Sequence, residues 1–84
     1  MEDHLSTREV GWVLGRSPSS IRNGIASGEI EATRMVGGYR IPKAEVLRLG
    51  REHIEAEAGR KLPDRELERL IDEVIRTNEA ATTT

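Results

Sequence analysis

The chain has 84 residues, 36% of them hydrophobic, and a net charge of −2, which allows one small domain. It contains no cysteine, so disulfides and thiolate metal sites are excluded, and no apolar run approaches the roughly 20 residues of a membrane span. The N-terminus lacks the basic and apolar stretches of a signal peptide, so we expect a cytoplasmic protein. Residues 1–50 carry a net charge of +1 and residues 51–84 a net charge of −3.

The first predicted element is a short helix. The sequence Ser6-Thr7-Arg8-Glu9 matches a capping box, in which Ser6 and Glu9 each bond the other's backbone N–H. Apolar residues at helical spacing follow, and Gly15 is a typical stop signal. We therefore predict a helix from Thr7 to Leu14.

A second helix follows after a tight turn. Ser17 can cap it, and Pro18 suits its first position because proline has no N–H to leave unpaired. Gly28 is a plausible end signal, which predicts a helix from Pro18 to Ser27. Two short helices joined in this way form a helix-turn-helix unit.

The pattern then changes to one typical of strands. Ile30–Val36 and Tyr39–Ile41 are short β-prone runs, and Gly37-Gly38 between them is a two-residue hairpin signal. The sequence thus predicts a small β-hairpin, called the wing below, with its turn at Gly37-Gly38.

Two further helices are predicted. The third runs from Lys43 to about Ala58, and Gly50 weakens it by about 1 kcal/mol relative to alanine. After a break, Asp64 caps a fourth helix, and residues 77–84 are expected to fray. The fold class is therefore mainly α with a small β-hairpin wing: a winged helix-turn-helix over residues 1–58, then an amphipathic helix and frayed tail over residues 59–84.

This order of elements suggests DNA binding, with the second helix in the major groove and the wing on a neighbouring phosphate strand or minor groove. Arginine can bond guanine, asparagine adenine, and serine bases or phosphates. The candidates in the second helix and the turn before it are Arg16, Ser17, Ser19, Ser20, Arg22 and Asn23. For Arg22 and Asn23 the alternative is a solvated helix face, and for Arg16 it is a side chain that is merely exposed.

The wing offers a second set of candidates, because glycine allows close backbone approach and arginine inserts well into a narrow minor groove. These candidates are Arg34, Gly37, Gly38, Tyr39 and Arg40. The alternatives are that the two arginines pair across the strands with Glu29 or Glu31, and that Tyr39 packs on the core.

Residues 5–49, LSTREVGWVLGRSPSSIRNGIASGEIEATRMVGGYRIPKAEVLRL, resemble the excisionase-type, MerR-related winged helix-turn-helix family. The resemblance rests on Leu5-Ser6-Thr7, Leu14-Gly15, Ser17, Ser27-Gly28 and above all Gly37–Lys43. It implies a non-enzymatic protein of a bacterial host cell, without catalytic residues, cofactor or metal, that binds double-stranded DNA. Phage members of the family bend DNA, bind side by side and direct a site-specific recombinase, an integrase, toward excision.

Two alternatives remain beside that role: a small MerR-like transcriptional regulator, and a protein-interaction module that no longer binds DNA. Departures from the family pattern favour the second alternative. Gly24 stands where the family has a large side chain, so we expect a weaker helix and a lost core contact. Glu29 stands where lysine is common.

Protein contacts are expected at two places. Trp12 occupies a position that is usually polar, and it either covers the core or, as we prefer, receives another surface. The fourth helix needs a partner for its apolar stripe, because an isolated helix of this length is marginal in water. It either folds back on the domain, or contacts another copy or the recombinase. The stripe consists of Leu67, Leu70, Ile71, Val74 and Ile75.

Overall fold

A computed structural model describes residues 4–82 of the chain. The elements in chain order are β1 (His4–Leu5), α1 (Thr7–Leu14), α2 (Pro18–Ser27), β2 (Thr33–Met35), β3 (Gly38–Pro42), α3 (Lys43–Ala58) and α4 (Asp64–Thr82). The strands form one antiparallel sheet in the order β1-β3-β2. The fold class predicted from the sequence is confirmed: a mainly helical winged helix-turn-helix with an added C-terminal helix.

The ends of α1 and α2 follow the predicted capping bonds. The Ser6 Oγ accepts the Glu9 N–H at 3.1 Å, and the Ser6 N–H donates to the Glu9 carboxylate at 2.9 Å. The Ser17 Oγ accepts the Ser20 N–H at 3.2 Å. Gly15, with φ of 68°, ends α1 in the left-handed conformation, which costs a side-chain-free residue little.

The turn between α1 and α2 lies against Gly11. The Arg16 N–H donates to the Gly11 carbonyl at 2.9 Å. A Cβ on Gly11 would stand only 2.6 Å from the Arg16 carbonyl oxygen. Since both groups are backbone, neither can move aside easily, and the missing side chain of Gly11 lets the turn close. The sequence pattern does not predict this role for Gly11.

A single hydrophobic core joins the helices to the sheet. Its fully buried members come from α1, α2, β3, α3 and α4 and from the segment before β2: Val10, Val13, Ile21, Ile30, Ile41, Val46, Leu67 and Ile71. The helix α4 therefore folds back on the domain, packing against α1 and α3. Leu67 and Ile71, proposed from sequence as protein-contact residues, are not accessible to a second copy in this fold.

The end of α4 differs from the expectation. The sequence predicts fraying from Thr77, but the helix continues to Thr82. The Asn78 side chain donates to the Val74 carbonyl and the Thr82 hydroxyl donates to the Asn78 carbonyl, both at 2.8 Å. The prediction of a frayed tail is therefore wrong as far as Thr82, and its last two residues lie outside the described part of the chain.

The hairpin also differs in its turn. Met35 pairs with Gly38, so the turn is Val36-Gly37 and the predicted Gly37-Gly38 turn is wrong by one residue. The predicted register would set Arg34 opposite Ile41, which is fully buried, and burying a guanidinium there would be costly. The observed register sets Arg34 opposite Tyr39 instead.

Two smaller features were not predicted from the sequence. The strand β1 pairs with the other end of β3, His4 opposite Pro42 and Leu5 opposite Ile41; two residues are too few to show an alternating pattern. Gly50, interpreted as a weak point, lies where α3 approaches α1. A Cβ there would stand 3.1 Å from the Val13 side chain, so Gly50 permits this close packing.

Candidate DNA-binding surface

The exposed face of α2 carries most of the polar side chains that the sequence predicts to bind DNA. Ser19, Arg22 and Asn23 are exposed and Ser20 is half-buried, whereas Ile21 and Gly24 point into the domain. The Arg22 guanidinium lies 3.5 Å from the Ser19 hydroxyl. The structure therefore groups these side chains on the outward side of the second helix of the unit.

Two further candidates lie at the start of α2. Ser17 caps the helix through its Oγ and keeps its hydroxyl proton available to donate. Arg16, in the turn, is 43% exposed, and its guanidinium lies 3.9 Å from the Glu29 carboxylate. An exposed pair at this distance contributes little stability, so Arg16 could exchange Glu29 for a phosphate at small cost.

The expected loss of a core contact at Gly24 does not occur. A Cβ on Gly24 would stand 2.8 Å from Cδ1 of Ile30, and Ile30 itself is only 2% exposed. The Ile30 side chain thus fills the space next to the bare helix backbone. The role of Ile30 could not be predicted from the sequence, because its position next to α2 depends on the path of the chain after Gly28.

The two wing arginines lie on opposite faces of the hairpin. Arg34 faces Tyr39 across the strands, and Tyr39 shares its face of β3 with the buried Ile41, two residues along. Arg40 faces Thr33 and shares the outer face with Met35; these side chains line a shallow depression beside His4. The glutamates suggested as cross-strand partners are therefore not opposite either arginine. Tyr39 is half-buried.

The base of the wing is fixed by a buried carboxylate. Glu45, in the first turn of α3, is 8% exposed and accepts the Glu31 N–H at 3.0 Å. The Arg48 guanidinium donates to both of its oxygens. The hydrogen bonds from Arg48, assisted by the one from Glu31, hold the pKa of Glu45 below its usual range against the opposing effect of burial. Glu45 thereby ties the segment entering β2 to α3.

The candidate protein-contact residues lie elsewhere. Trp12 is half-buried on α1, with the Arg8 guanidinium 5.9 Å from the centre of its ring, at the outer limit of a cation–π contact. Leu70, Val74 and Ile75 are half-buried along α4 and pack against the core. Trp12 and these three side chains are all half-buried, so each keeps part of its surface available for a protein contact.

Comparison with known protein families agrees with this architecture. The sequence model of a protein family described as a helix-turn-helix domain matches residues 5–53, more than half of the chain. The chain belongs to this helix-turn-helix family. The family includes excisionase-like DNA-binding proteins and is typically non-enzymatic, and membership indicates binding to double-stranded DNA. The match ends within α3, so α4 lies beyond the family domain.

No curated protein and no solved structure matches the chain significantly. Among residues 4–82, no helix combines the length and the apolar character that crossing a membrane requires. Within the same residues, no group of three or more histidine and acidic side chains could hold a metal ion.

Proposed function

We propose that this helix-turn-helix protein is a sequence-specific accessory factor that places α2 in the major groove and the wing on the flanking minor groove. The observations that carry the proposal are the exposed polar face of α2 and an exposed hairpin with an arginine on each face. Residues 16–40 hold four arginines and two glutamates, so this surface is basic although the whole chain is acidic. Positive charge supplies most of the non-specific affinity for DNA.

In the major groove, Arg22 and Asn23 are the residues that would read bases. Arginine forms a bidentate contact with guanine and asparagine one with adenine. Ser17, Ser19 and Ser20, near the N-terminus of α2, would bond phosphates, helped by the free N–H groups of the first turn. Arg16 would add a phosphate contact from the preceding turn.

The wing would contribute contacts that depend little on sequence. Arg34 and Arg40 would reach phosphates or the minor groove, and Gly37 and Gly38 would let the backbone approach closely. Tyr39, half-buried beside Ile41, would support the hairpin and reach the sugar–phosphate backbone with its hydroxyl. Since few phosphates are contacted per copy, one copy alone would bind weakly.

We further propose an excisionase-like role, in which several copies bend the DNA of an attachment site and direct an integrase. The presence of excisionase-like proteins in the family supports this role. Trp12 and the half-buried residues Leu70, Val74 and Ile75 would supply contacts between neighbouring copies or with the integrase. A small MerR-like transcriptional regulator would use the same DNA surface.

A salt titration of binding to a labelled duplex tests the DNA surface. With about four phosphates neutralised, the logarithm of the association constant should fall with the logarithm of salt concentration at a slope of about −3 to −4. An association constant that does not change with salt concentration, or no binding at low salt, would instead indicate a protein-interaction module.

Footprinting on genomic DNA would then separate the two roles. Clustered sites within a recombination attachment site support the excisionase role, and a single operator at a promoter supports the regulator. Sedimentation on a duplex with two adjacent sites, with Trp12→Gln as the variant, tests the contact between copies. Equal cooperativity of the two proteins would rule out Trp12 as the contact.

A further inference from the structure

The wing tip concentrates the exposed apolar surface of the domain. Among the described residues, the exposed large hydrophobic side chains are Val36, which is fully exposed, and Met35, which is 49% exposed. The two are neighbours, one in the turn and one beside it. A single exposed apolar residue needs no explanation, but the other large hydrophobic side chains are at least partly buried, which makes this pair distinctive.

The residues around the tip suit a ligand that presents negative charge on both sides of the hairpin. The next two residues, Gly37 and Gly38, have no side chains, so the hairpin is narrow at its end. Arg34 and Arg40 follow behind on opposite faces. A minor groove is about 6 Å wide and has a phosphate strand on each side. A hairpin entering it end-on would place one arginine toward each strand and the tip toward the groove floor.

We propose that Val36, assisted by Met35, is an apolar wedge that enters the minor groove and contacts its sugars and floor. This inference rests on the proposed function and adds the residues that would distinguish A·T from G·C pairs in the minor groove. A guanine amino group projecting from the floor would lose its water against an apolar tip and gain no partner. The wedge therefore favours steps that lack this group, as A·T pairs do.

An apolar pocket on another protein is a weaker match for the same tip. Such a pocket would have to accept the valine while desolvating the two guanidinium groups behind it, which is costly without carboxylate partners. DNA satisfies both arginines with phosphates.

The test compares two duplexes that differ only in the minor groove. Replacing guanine by inosine removes the minor-groove amino group and keeps the major-groove acceptors. The variants are Val36→Thr, which keeps the branched shape, and Met35→Gln, which keeps the length. The matched control is the double variant Val36→Thr with Thr33→Val, which moves the apolar group away from the tip to the exposed first residue of β2 without changing composition.

The wild-type protein should bind the inosine duplex about fivefold more tightly than the guanine duplex. The Val36→Thr variant should bind the inosine duplex about fivefold more weakly than wild type, the order expected for losing one buried apolar contact. Its preference for inosine should shrink, and the double variant with Thr33→Val should behave in the same way. Thermal unfolding of all variants should match wild type, because the altered side chains are exposed.

Other outcomes overturn the inference at different levels. If wild type binds with the expected salt dependence but the tip variants keep its affinity and inosine preference, the wedge is wrong and the DNA surface stands. If the variants weaken binding to both duplexes equally, the tip contacts something other than the groove floor. If wild type binds neither duplex at low salt, the proposed function fails and the wedge with it.

Discussion

Ile30 lies directly over Gly24, with its Cδ1 atom 2.8 Å from the position that a Cβ on Gly24 would take. The Ile30 N–H also donates to the Gly24 carbonyl at 3.0 Å. The backbone of α2 at Gly24, which carries no side chain, is therefore the surface against which Ile30 packs after the helix has ended. The helix loses intrinsic stability at Gly24 and regains a core contact through Ile30.

Replacing this glycine should separate the two effects. Gly24→Ala gains about 1 kcal/mol of helix propensity but overpacks Ile30 by about 2 kcal/mol, so we expect a net loss of about 1 kcal/mol in the free energy of unfolding. Ile30→Val removes the Cδ1 atom and costs about 1 kcal/mol alone. The double variant should be about as stable as wild type, as measured by urea unfolding. Additive losses would show that the two residues are not coupled.

Lys43 should hold α4 against the base of the wing. Its Nζ lies 2.9 Å from the Asp72 carboxylate and 3.2 Å from that of Glu68, and the lysine side chain is only 14% exposed. Burial lowers the pKa of Lys43, but the hydrogen bonds to Asp72 and Glu68 outweigh it, so the net shift is upward. Lys43→Met should cost about 1 kcal/mol, a modest value because both carboxylates are half-exposed.

The control for that charge change is Arg76→Met, since Arg76 is exposed on α4 and should change stability by less than about 0.5 kcal/mol. Urea unfolding of both variants at low and high salt gives the comparison. The Lys43 effect should shrink in high salt; equal effects of the two substitutions would exclude an ion-pair role.

Glu45 should make stability sensitive to acid. Because its pKa in the folded protein lies below the ordinary value of 4.5, the unfolded chain takes up the proton first as pH falls. The stabilisation is thus present above about pH 4.5 and is lost as pH drops through the folded pKa. Glu45→Gln should cost about 1 kcal/mol at pH 7, and its difference from wild type should narrow below pH 4.5. Thermal unfolding from pH 7 to pH 3 measures this, with exposed Glu52→Gln as control. A constant difference across the range would contradict the assignment.

The arginines of the proposed DNA-binding surface should affect binding in different ways. Arg22→Ala should relax the preference for the footprinted site over random duplex, because arginine at a base edge supplies about 1–3 kcal/mol of discrimination. Arg40→Ala should weaken binding to all sequences and reduce the salt slope by about 1. Arg76→Ala removes the same charge from α4, and binding should be unchanged. If neither surface variant alters affinity, α2 and the wing are not the binding surface.

The local signals of the sequence account for the helices. Ser6, Gly15, Ser17 and Gly28 act on backbone groups within a few residues, so the bounds of α1 and α2 agree with the structure without any knowledge of the fold. The order of helix, turn, helix and hairpin follows from these boundaries, and with it the polar face of α2. The chemistry of Arg22 and Asn23 could therefore be assigned to a surface in advance.

Long-range contacts decided the rest. The hairpin turn is Val36-Gly37 because the register of β2 on β3 keeps Arg34 away from Ile41. The positions of the glycines alone do not predict this register. The same register places Val36 in the turn, at the tip of the hairpin.

The sequence by itself determined which segments are helical and which face of α2 is polar, because capping and periodicity are properties of neighbouring residues. Only the tertiary structure decided that Ile30 fills the space at Gly24 and that α4 turns Leu67 and Ile71 into the core of its own chain. An apolar stripe specifies only that it must be buried; the surface that buries it is set by the rest of the fold.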